Sequence, residues 1–261
     1  MNGALYVAKT GLSAQDTQLK VISNNLANVS TVGFKKDRAI FEDLLYQIQR
    51  APGADSTEGT QLPSGLQLGN GVRVVGTQKQ FVGGEVQITD NPFDVAISGQ
   101  GFFQVTLPDG EIGYTRNGQF HVSGNNELTT AEGYLVEPAI TLPAETVEFN
   151  IGVDGIVTAI VSGNTTPQNI GQMTLANFVN PAGLLATGQN LFTETAASGA
   201  PIVANPGEAG LGQTQQKMLE ASNVNSVEEL VNMITTQRAY EINSKVISTA
   251  DEMLGFINQQ L

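Results

Sequence analysis

The N-terminal stretch, residues 2–34, carries the pattern that most restricts how this chain can fold. Leucine recurs there every seven residues, and a second row follows each leucine by three positions. The two rows consist of Leu5, Leu12, Leu19 and Leu26, and of Ala8, Gln15, Ile22 and Val29. A heptad pattern of this length is typical of a helix that packs along another helix. Because such a helix is only marginally stable alone in water, the pattern predicts a partner for it.

The C-terminal stretch, residues 226–261, is the predicted partner helix. It contains no proline, and Ser226 with Glu229 three positions later predicts a capping box at its start. Its heptad-spaced apolar rows are Met233, Tyr240, Ile247, Leu254 and Leu261, and then Ala239, Val246 and Met253. We expect the two terminal helices to pair antiparallel as a coiled-coil stalk.

The apolar stripe of the C-terminal helix is two rows wide, which is more than one neighbouring helix can cover. We therefore expect other copies of the chain to cover the rest and to build an open polymer, a filament or tube. The two rows would then act as assembly surfaces. The alternative is that both helices simply cap the core of a monomeric protein, although their length exceeds what one small β-domain can cover.

Between the helices the apolar period changes to two, which is typical of strands. The predicted strands cover residues 72–74, 85–88, 94–97, 102–105, 146–149 and 155–157. Asp109-Gly110, Asn117-Gly118 and Asp154-Gly155 are dipeptides that favour tight hairpins. The pattern predicts an antiparallel barrel or sandwich, so the fold class is α+β, with a helical stalk and a central β-domain.

Two segments join these parts. Residues 35–50 carry apolar side chains at helical spacing and predict a short second helix. These side chains are Ile40, Phe41, Leu44, Leu45 and Ile48. Residues 51–71 are rich in Gly, Pro, Ser and Thr, and a loop of this length is usually either functional or disordered. Gly33, just after the first helix, is suited to a left-handed cap.

The predicted division of the chain has four parts. Residues 1–45 form the N-terminal helical segment, and residues 46–71 form an extended connector. Residues 72–212 form the β-rich domain, and residues 213–261 return to the stalk.

The charge distribution argues against nucleic-acid binding. The formal net charge is −13, and residues 46–214 alone hold four basic and fifteen acidic side chains. No basic face is therefore available to replace the counterions of phosphates. The absence of cysteine excludes disulfides and thiol chemistry. We also expect no membrane insertion and no cleaved secretory signal, because neither apolar pattern is present.

Residues suited to catalysis, cofactor binding or metal binding are sparse. His121 is the single histidine and lies in an alternating strand, where a surface position is the simplest interpretation. Asp90 with Asp94 resembles an acid–base pair only by spacing, and acidic residues at strand ends usually form a solvated rim. We predict no catalytic, cofactor or metal site. A wall-glycan hydrolase, which needs two carboxylates in a cleft, remains a minor alternative.

Several stretches resemble the bacterial flagellar rod and hook protein family. They are residues 22–35, 94–103, 114–118, 222–230, 233–234, 237–241 and 243–245. The N-terminal signature contributes Asn24, Asn25, Asn28, Thr31, Gly33 and Phe34. The resemblance covers nearly the whole chain. It implies a non-enzymatic structural subunit that needs no cofactor.

Within that family, the chain length and residues 46–63 resemble the distal rod members. The resemblance implies that this insertion braces neighbouring subunits and keeps the rod straight. The residues concerned are Tyr46, Arg50, Pro52, Gly53, Leu62 and Pro63. A proximal rod subunit or a hook subunit is the alternative within the same family.

The resemblance also implies a location and partners. The subunit would leave the cytoplasm through the flagellar type III export apparatus and polymerise into a hollow helical tube that crosses the periplasm. Its partners would be further copies of itself, the proximal rod proteins, the hook protein, and the P-ring and L-ring proteins. The tube would transmit torque and conduct later export substrates.

One face of the C-terminal helix predicts a channel lining. Asn243, Ser244, Ser248 and Thr249 lie away from its apolar stripe and are small and uncharged. Such a face would not retain an unfolded polypeptide that passes along it.

Overall fold

The computed structural model describes residues 2–53, 55–57, 60–61, 63–163 and 166–260. Long helices form its two ends, α1 (Asn2–Ala27) and α2 (Ser226–Gln260). The strands of the first half are β1 (Asp37–Asp43), β2 (Gln47–Arg50), β3 (Asp55–Thr57), β4 (Thr60–Gln61), β5 (Leu66–Leu68), β6 (Val72–Lys79), β7 (Val86–Ile88), β8 (Val95–Ser98), β9 (Phe102–Thr106), β10 (Ile112–Thr115) and β11 (Phe120–Val122). The remaining strands are β12 (Leu128–Thr130), β13 (Leu135–Glu137), β14 (Thr146–Ile151), β15 (Ile156–Val161), β16 (Gln168–Gln172), β17 (Leu175–Asn177), β18 (Leu185–Gly188), β19 (Leu191–Thr193), β20 (Ile202–Ala204), β21 (Gln213–Gln216) and β22 (Met218–Glu220). A 3-10 turn covers Pro181–Gly183.

The chain divides into two compact units. The first unit, here called the helical unit, comprises the described parts of residues 1–27, 37–78 and 225–261. The second, here called the β-unit, comprises residues 28–36 and the described parts of 79–224. The predicted boundary of the β-rich part is residue 72, whereas residues 72–78 group with the helices.

In the helical unit, α1 and α2 lie side by side and run antiparallel. The end of α1 meets the start of α2, where Asn25 Nδ2 lies 3.5 Å from Glu229 Oε2. Further along the pair, Gly11 of α1 faces the side chain of Asn243. Both helices therefore occur where the heptad patterns predict them. Coiled-coil packing of the two helices stays a prediction.

The first turn of α2 is capped by Asn225. Its side-chain Oδ1 accepts hydrogen bonds from the backbone N–H groups of Val227 and Glu228, at 3.0 and 3.3 Å. The capping box predicted for Ser226 and Glu229 is therefore wrong by one residue. The Glu229 carboxylate is turned toward α1 instead and is buried.

The described residues between 37 and 79 form a β-ribbon, so the helix predicted over residues 35–50 is wrong. β1 pairs with β6, β2 with β5 and β3 with β4, in nested order. The 46–71 segment, expected as a loop, contains paired strands. The spacing of a short apolar run does not distinguish a helix from a strand. Here the segment forms strands because β5 and β6 pair with it.

The β-unit is built on an antiparallel sheet that does not close into a barrel. Among the described residues its strand order is β11, β12, β13, β9, β10, β19 and β18, with β17 joined to β9 and β20 to β17. The predicted barrel is therefore wrong, while the antiparallel sheet is confirmed. Separate ladders join β14, β15 and β16, β21 to β8, and β22 to β7. Phe103, Phe120 and Leu175 are fully buried in its core.

Two of the three predicted turn dipeptides close hairpins. Gly110, between β9 and β10, has φ +85°, and Gly155, between β14 and β15, has φ +82°. Asn117-Gly118 does not close a hairpin, because β10 and β11 are not neighbours in the sheet. At Gly118 a Cβ atom would lie 1.6 Å from the Val95 carbonyl oxygen, so close backbone approach requires glycine there.

Neither helix has a described stretch that is apolar and long enough to cross a membrane.

Candidate functional site

The face of α1 that meets α2 carries small and amide side chains rather than leucines. Around Asn243, a groove of about 580 Å³ is lined by both helices and by the base of the ribbon. Its helix residues are Gly11, Ala14, Gln15 and Gln18 from α1, and Thr235, Thr236, Ala239 and Asn243 from α2. Polar side chains at a helix interface fix its register at a cost in stability. These polar side chains therefore favour one register of the helix pair.

The predicted N-terminal rows are only partly covered within the chain. Ala8 and Ile22 are buried. The half-buried members are Leu5, Leu12, Gln15, Leu19, Leu26 and Val29. The leucines thus retain accessible surface on a helix that already has a partner.

Asn25 joins α1, β1 and α2 within the helical unit. Its Nδ2 donates to the Asp37 carbonyl and its Oδ1 accepts from the Asp37 N–H, both at 2.9 Å. Glu229 Oε2 lies 3.5 Å from the same Nδ2. The primary amide offers both a donor and an acceptor without a charge, which explains an asparagine that is only 2% exposed inside a helix.

The rest of the N-terminal signature shapes the turn that follows, in the β-unit. The Thr31 hydroxyl donates to Asn28 Oδ1 at 3.1 Å. Gly33 has φ +71°, and a Cβ atom there would lie 2.7 Å from the Arg116 backbone. Phe34 is buried, with the Lys79 ammonium 5.2 Å from its ring centre. Asn24 lies on the exposed side of α1.

A buried ion cluster lies inside the β-unit. Glu220 binds Lys35 Nζ through Oε1 at 2.5 Å and Arg116 Nη1 through Oε2 at 3.0 Å. All three side chains are at most 2% exposed. Two cations share one carboxylate, so the cluster carries a formal net charge of +1 away from water.

Backbone groups complete the coordination of this cluster. Lys35 Nζ also donates to the Val82 carbonyl at 2.8 Å, and Arg116 Nη2 donates to the Gly99 carbonyl at 2.6 Å. The N–H of Gly84 donates to Glu220 Oε1 at 2.9 Å. Arg116 Nε is buried without a hydrogen-bond partner. The cluster therefore fixes five separate segments of the β-unit at one point.

Burial dominates the electrostatics of this cluster. Loss of water lowers the pKa of the Lys35 ammonium, and the Glu220 carboxylate opposes that change only in part. Desolvation likewise lowers the pKa of the Arg116 guanidinium. Both shifts arise because a low-dielectric site disfavours the charged form of a base.

This cluster was not predicted from the sequence, although Lys35 and Arg116 lie in stretches that carried the family resemblance. The available signal was one charged residue in each of two otherwise uncharged stretches, 22–35 and 114–118, which alone does not identify its partner. Glu220 lies 185 residues from Lys35, so only the fold reveals the contact.

The first turns of α2 have their apolar side chains directed away from α1. We call Val227, Leu230, Val231 and Ile234 the outer face of α2. They are 68%, 46%, 54% and 50% exposed. At roughly 100° per residue they share one side of the helix, opposite the polar Asn232 and Thr236. An apolar face of this kind on a soluble protein marks an interaction surface.

The predicted rows further along α2 are mixed. Met233, Ala239, Ile247 and Leu254 are half-buried. Tyr240, Val246 and Met253 are 38%, 43% and 56% exposed. Leu261 lies outside the described residues.

The four channel-lining candidates do not share one environment. Asn243 lies against Gly11 in the helix pair. Ser244, Ser248 and Thr249 are exposed. The hydroxyls of Ser248 and Thr249 donate to backbone carbonyls one turn earlier, so their donors are satisfied within the helix.

The ribbon presents apolar side chains to solvent along its length. Those more than a third exposed include Ile40, Phe41, Leu45, Tyr46, Ile48, Leu66, Leu68 and Val75. Of the residues expected to stiffen this segment, Tyr46, Arg50, Pro52, Gly53 and Pro63 are exposed, and Leu62 lies outside the described residues. A cavity of about 910 Å³ lies between Tyr6 of α1 and Leu45 of the ribbon.

His121 is exposed on β11, as the sequence predicts. Within the described ranges, no three His, Cys, Asp or Glu side chains come close enough together to hold a metal ion.

Comparison with known proteins gives three family matches along the chain. Residues 5–35 match the model described as "Flagella basal body rod protein". Residues 96–159 match "Flagellar hook protein FlgE/F/G D1 domain". Residues 215–260 match "Flagellar basal body rod FlgEFG protein C-terminal".

Relatives match over nearly their full length. The chain is 55% identical over 256 residues to "Flagellar basal-body rod protein FlgG" of Buchnera aphidicola subsp. Schizaphis graminum, with 98% of each chain covered. Proteins of the same name from Caulobacter vibrioides and Bacillus subtilis are 48% and 37% identical, with 98% and 96% of each chain covered.

Proposed function

The chain belongs to the FlgG family of flagellar basal-body rod proteins and is a structural subunit of that rod, and from this premise we propose that it builds the distal rod as a helical homopolymer. The observation that carries the proposal is the outer face of α2. Apolar side chains there are about half exposed although α2 already has a helical partner in its own chain. Because a rod contains many subunits, we infer that a second copy of the chain covers this face.

Burial of this face contributes a substantial part of the assembly free energy. Each apolar side chain that passes from exposed to buried contributes up to roughly 1.5–3 kcal/mol. The polar contact between α1 and α2 leaves the pair weakly held, so ordering of the helices is coupled to assembly. The half-buried leucines of α1 add to the surface that neighbouring copies cover.

The ribbon extends this interface. A two-stranded ribbon with exposed apolar side chains on its arms is marginal by itself in water. We infer that it lies against neighbouring copies and stiffens the polymer. Tyr46 and Leu45 supply large contact areas near its base.

The rod so formed is a hollow shaft that transmits torque across the periplasm and conducts exported flagellar proteins. Ser244, Ser248 and Thr249 are the residues we assign to the lumen, since Asn243 is occupied in the helix pair. The partners are the proximal rod proteins, the hook protein, the P-ring and L-ring proteins, and the flagellar type III export apparatus, through which the subunit is exported.

The test is a charge placed in the outer face. We expect Ile234→Glu to abolish polymerisation of the purified protein, observed by negative-stain electron microscopy, while the circular dichroism of the β-unit is retained. Ser13→Glu is the matched control, because it adds the same charge at an exposed position of α1. If Ile234→Glu formed normal rods, the outer face would not be part of the interface between copies.

The alternative position in the same assembly is a proximal rod or hook subunit. Deletion of residues 46–63 distinguishes the two, because a distal rod subunit that loses its stiffening ribbon should form curved polymers. Straight polymers from the deletion variant would favour the alternative.

We propose no catalytic role for the chain. A zymogram with purified protein and peptidoglycan tests this directly. Clearing by the wild-type protein, lost on substitution of its acidic residues, would overturn the proposal.

A further inference from the structure

Gly71 of the ribbon lies directly against α1. Its φ is +106°, and a Cβ atom there would lie 2.1 Å from Thr10 Oγ1 and 3.4 Å from Val7 Cα. The backbone of the returning arm therefore touches the helix, and only glycine allows both the conformation and the approach.

Hydrogen bonds tie this contact to both arms of the ribbon. Thr10 Oγ1 donates to the Val7 carbonyl at 2.8 Å and accepts from the Val72 N–H at 3.4 Å. The Gly71 carbonyl accepts from the N–H of Leu44, on the outgoing arm, at 2.9 Å. We call Thr10, Gly71 and Leu44 the ribbon joint.

The joint is the second of two attachments along one edge of α1. The first is Asn25, which binds both backbone groups of Asp37. From Asn25 to Thr10 the helix rises about 22 Å, and from Asp37 to Leu44 a strand rises about 23 Å. The matching lengths mean that β1 lies along α1 and is fastened at both ends.

Beyond the joint the ribbon separates from the helix. A cleft of about 710 Å³ lies between the N-terminal turns of α1 and ribbon residues Gln47 and Leu68. Both strands there, β2 and β5, are exposed along their whole length. The direction of the ribbon beyond Leu44 therefore depends on its last attachment.

We propose that Gly71 and Thr10 are positioning residues that set the direction in which residues 45–70, the ribbon arm, leave α1. The joint thereby decides which surface of the arm is offered to a second copy. The part that concerns a second copy rests on the proposed function. The geometry of the joint does not, and the two are tested separately.

The first test measures the arm under assembling conditions, in which both helices are ordered, with labelled protein diluted in unlabelled protein so that only distances within one copy are detected. The chain has no cysteine, so spin labels on Ser13→Cys and Gln67→Cys, both exposed, report one distance between α1 and the arm by double electron–electron resonance. We expect a narrow distribution in the parent protein and a broad or displaced one in Gly71→Ala. Hydrogen exchange of the Leu44 amide should become at least about tenfold faster.

Matched variants separate the joint from general strain. Gly76→Ala alters a ribbon glycine with open space around it and should leave the distribution unchanged. Gly53→Ala introduces a side chain at φ +77° without a collision and should also leave the distance near the joint unchanged. Thr10→Ser keeps the hydroxyl and should preserve the narrow distribution. Thr10→Val keeps the shape but loses the acceptor for Val72, and should give an intermediate width.

Two outcomes overturn the proposal. One is an unchanged distribution and unchanged Leu44 exchange in Gly71→Ala. The other, which applies if Gly71→Ala does not fold, is a distribution in Thr10→Val as narrow as in Thr10→Ser. If Gly71→Ala gave a broadened distance distribution but normal straight rods, the proposal for the ribbon joint would stand. The bracing role of the ribbon in the proposed function would then be wrong.

Discussion

The ammonium of Lys35 and the carboxylate of Glu220 lie 2.5 Å apart in a site that excludes water, although 185 residues separate them in sequence. Arg116 occupies the other carboxylate oxygen. Lys35 and Glu220 belong to segments that directly follow α1 and directly precede α2 in sequence. Within the β-unit, the cluster thus links the segment that follows α1 to the segment that precedes α2.

The asymmetry of the cluster predicts unequal effects of its substitutions. Glu220→Gln leaves two buried cations without a counter-charge, and we expect a loss of about 3–5 kcal/mol in unfolding free energy. Lys35→Met leaves a neutral Arg116–Glu220 pair and should cost much less. Urea unfolding followed by tyrosine fluorescence of the tryptophan-free protein measures both.

The exposed ion pair of Arg73 with Glu42, at 2.6 Å, is the control for this series. Glu42→Gln should change the unfolding free energy by only about 0–1 kcal/mol, because that pair is solvated. Equal losses in Glu220→Gln and Glu42→Gln would contradict the cost assigned to the buried cations.

The lowered pKa of Lys35 predicts a pH dependence of stability. Because burial lowers this pKa below its ordinary value of 10.5, the folded protein releases the proton at a lower pH than the unfolded chain does. Between those two values the unfolded state binds more protons, so the contribution of Lys35 to the unfolding free energy rises with pH. We expect the wild type to gain stability relative to Lys35→Met from neutral pH toward pH 10. If the difference in unfolding free energy between the two proteins fell with rising pH, the predicted direction would be wrong.

The sequence predicts regular elements better than contacts between distant segments. The heptad rows predicted both long helices, because a seven-residue spacing over several turns is typical of helices and not of strands or loops. Gly110 and Gly155 marked their hairpins through a local backbone requirement. The ribbon was missed because its pairing depends on a returning arm, and the residues at 40–48 satisfy a helical spacing equally well.

The sequence predicts an assembly surface on α2, which stays a prediction, but its heptad rows do not include the residues of the outer face. Excess apolar surface on α2 follows from composition and spacing alone. The side of α2 that faces α1 cannot be predicted in this way, because the polar Glu229 is buried and the apolar Leu230 is exposed. The partner of Lys35 was equally beyond reach, because a single sequence contains no signal that pairs it with Glu220.

The sequence separation of Lys35 and Glu220 predicts that their contact forms late in folding. The β14–β15 hairpin closes a loop of a few residues, whereas the ion cluster closes most of the chain and desolvates three charges first. In pulse-labelled refolding we expect the Gly33 and Gly84 amides, which donate to Glu220, to gain protection after the hairpin amides. Protection of all these amides in one early phase would contradict this order.

The polar contact between α1 and α2 predicts that the helices order fully only on assembly. In dilute monomer we expect circular dichroism to show the β-structure with much less helix than the folded chain contains. Ile22→Asp and Leu19→Asp should abolish polymerisation and leave the β-unit folded. Two fully formed helices in dilute monomer would reject the coupling, and normal rods from both variants would reject these positions as packing residues.

Asn25 provides the sharpest test of how the helical unit is fastened. Asn25→Asp keeps the shape and the acceptor for the Asp37 N–H but removes the donor to the Asp37 carbonyl. It also sets a second carboxylate within reach of Glu229 in a buried site. We expect a loss of about 3 kcal/mol or more at neutral pH, measured as the thermal unfolding of α-helical dichroism under assembling conditions. The deficit should narrow as the pH falls, because a protonated carboxyl regains a donor and loses the repulsion. Ser23→Asp, which adds the same charge at an exposed position of the same helix, should have little effect at any pH. Equal losses in the two variants would mean that net charge, and not this contact, governs the helical unit.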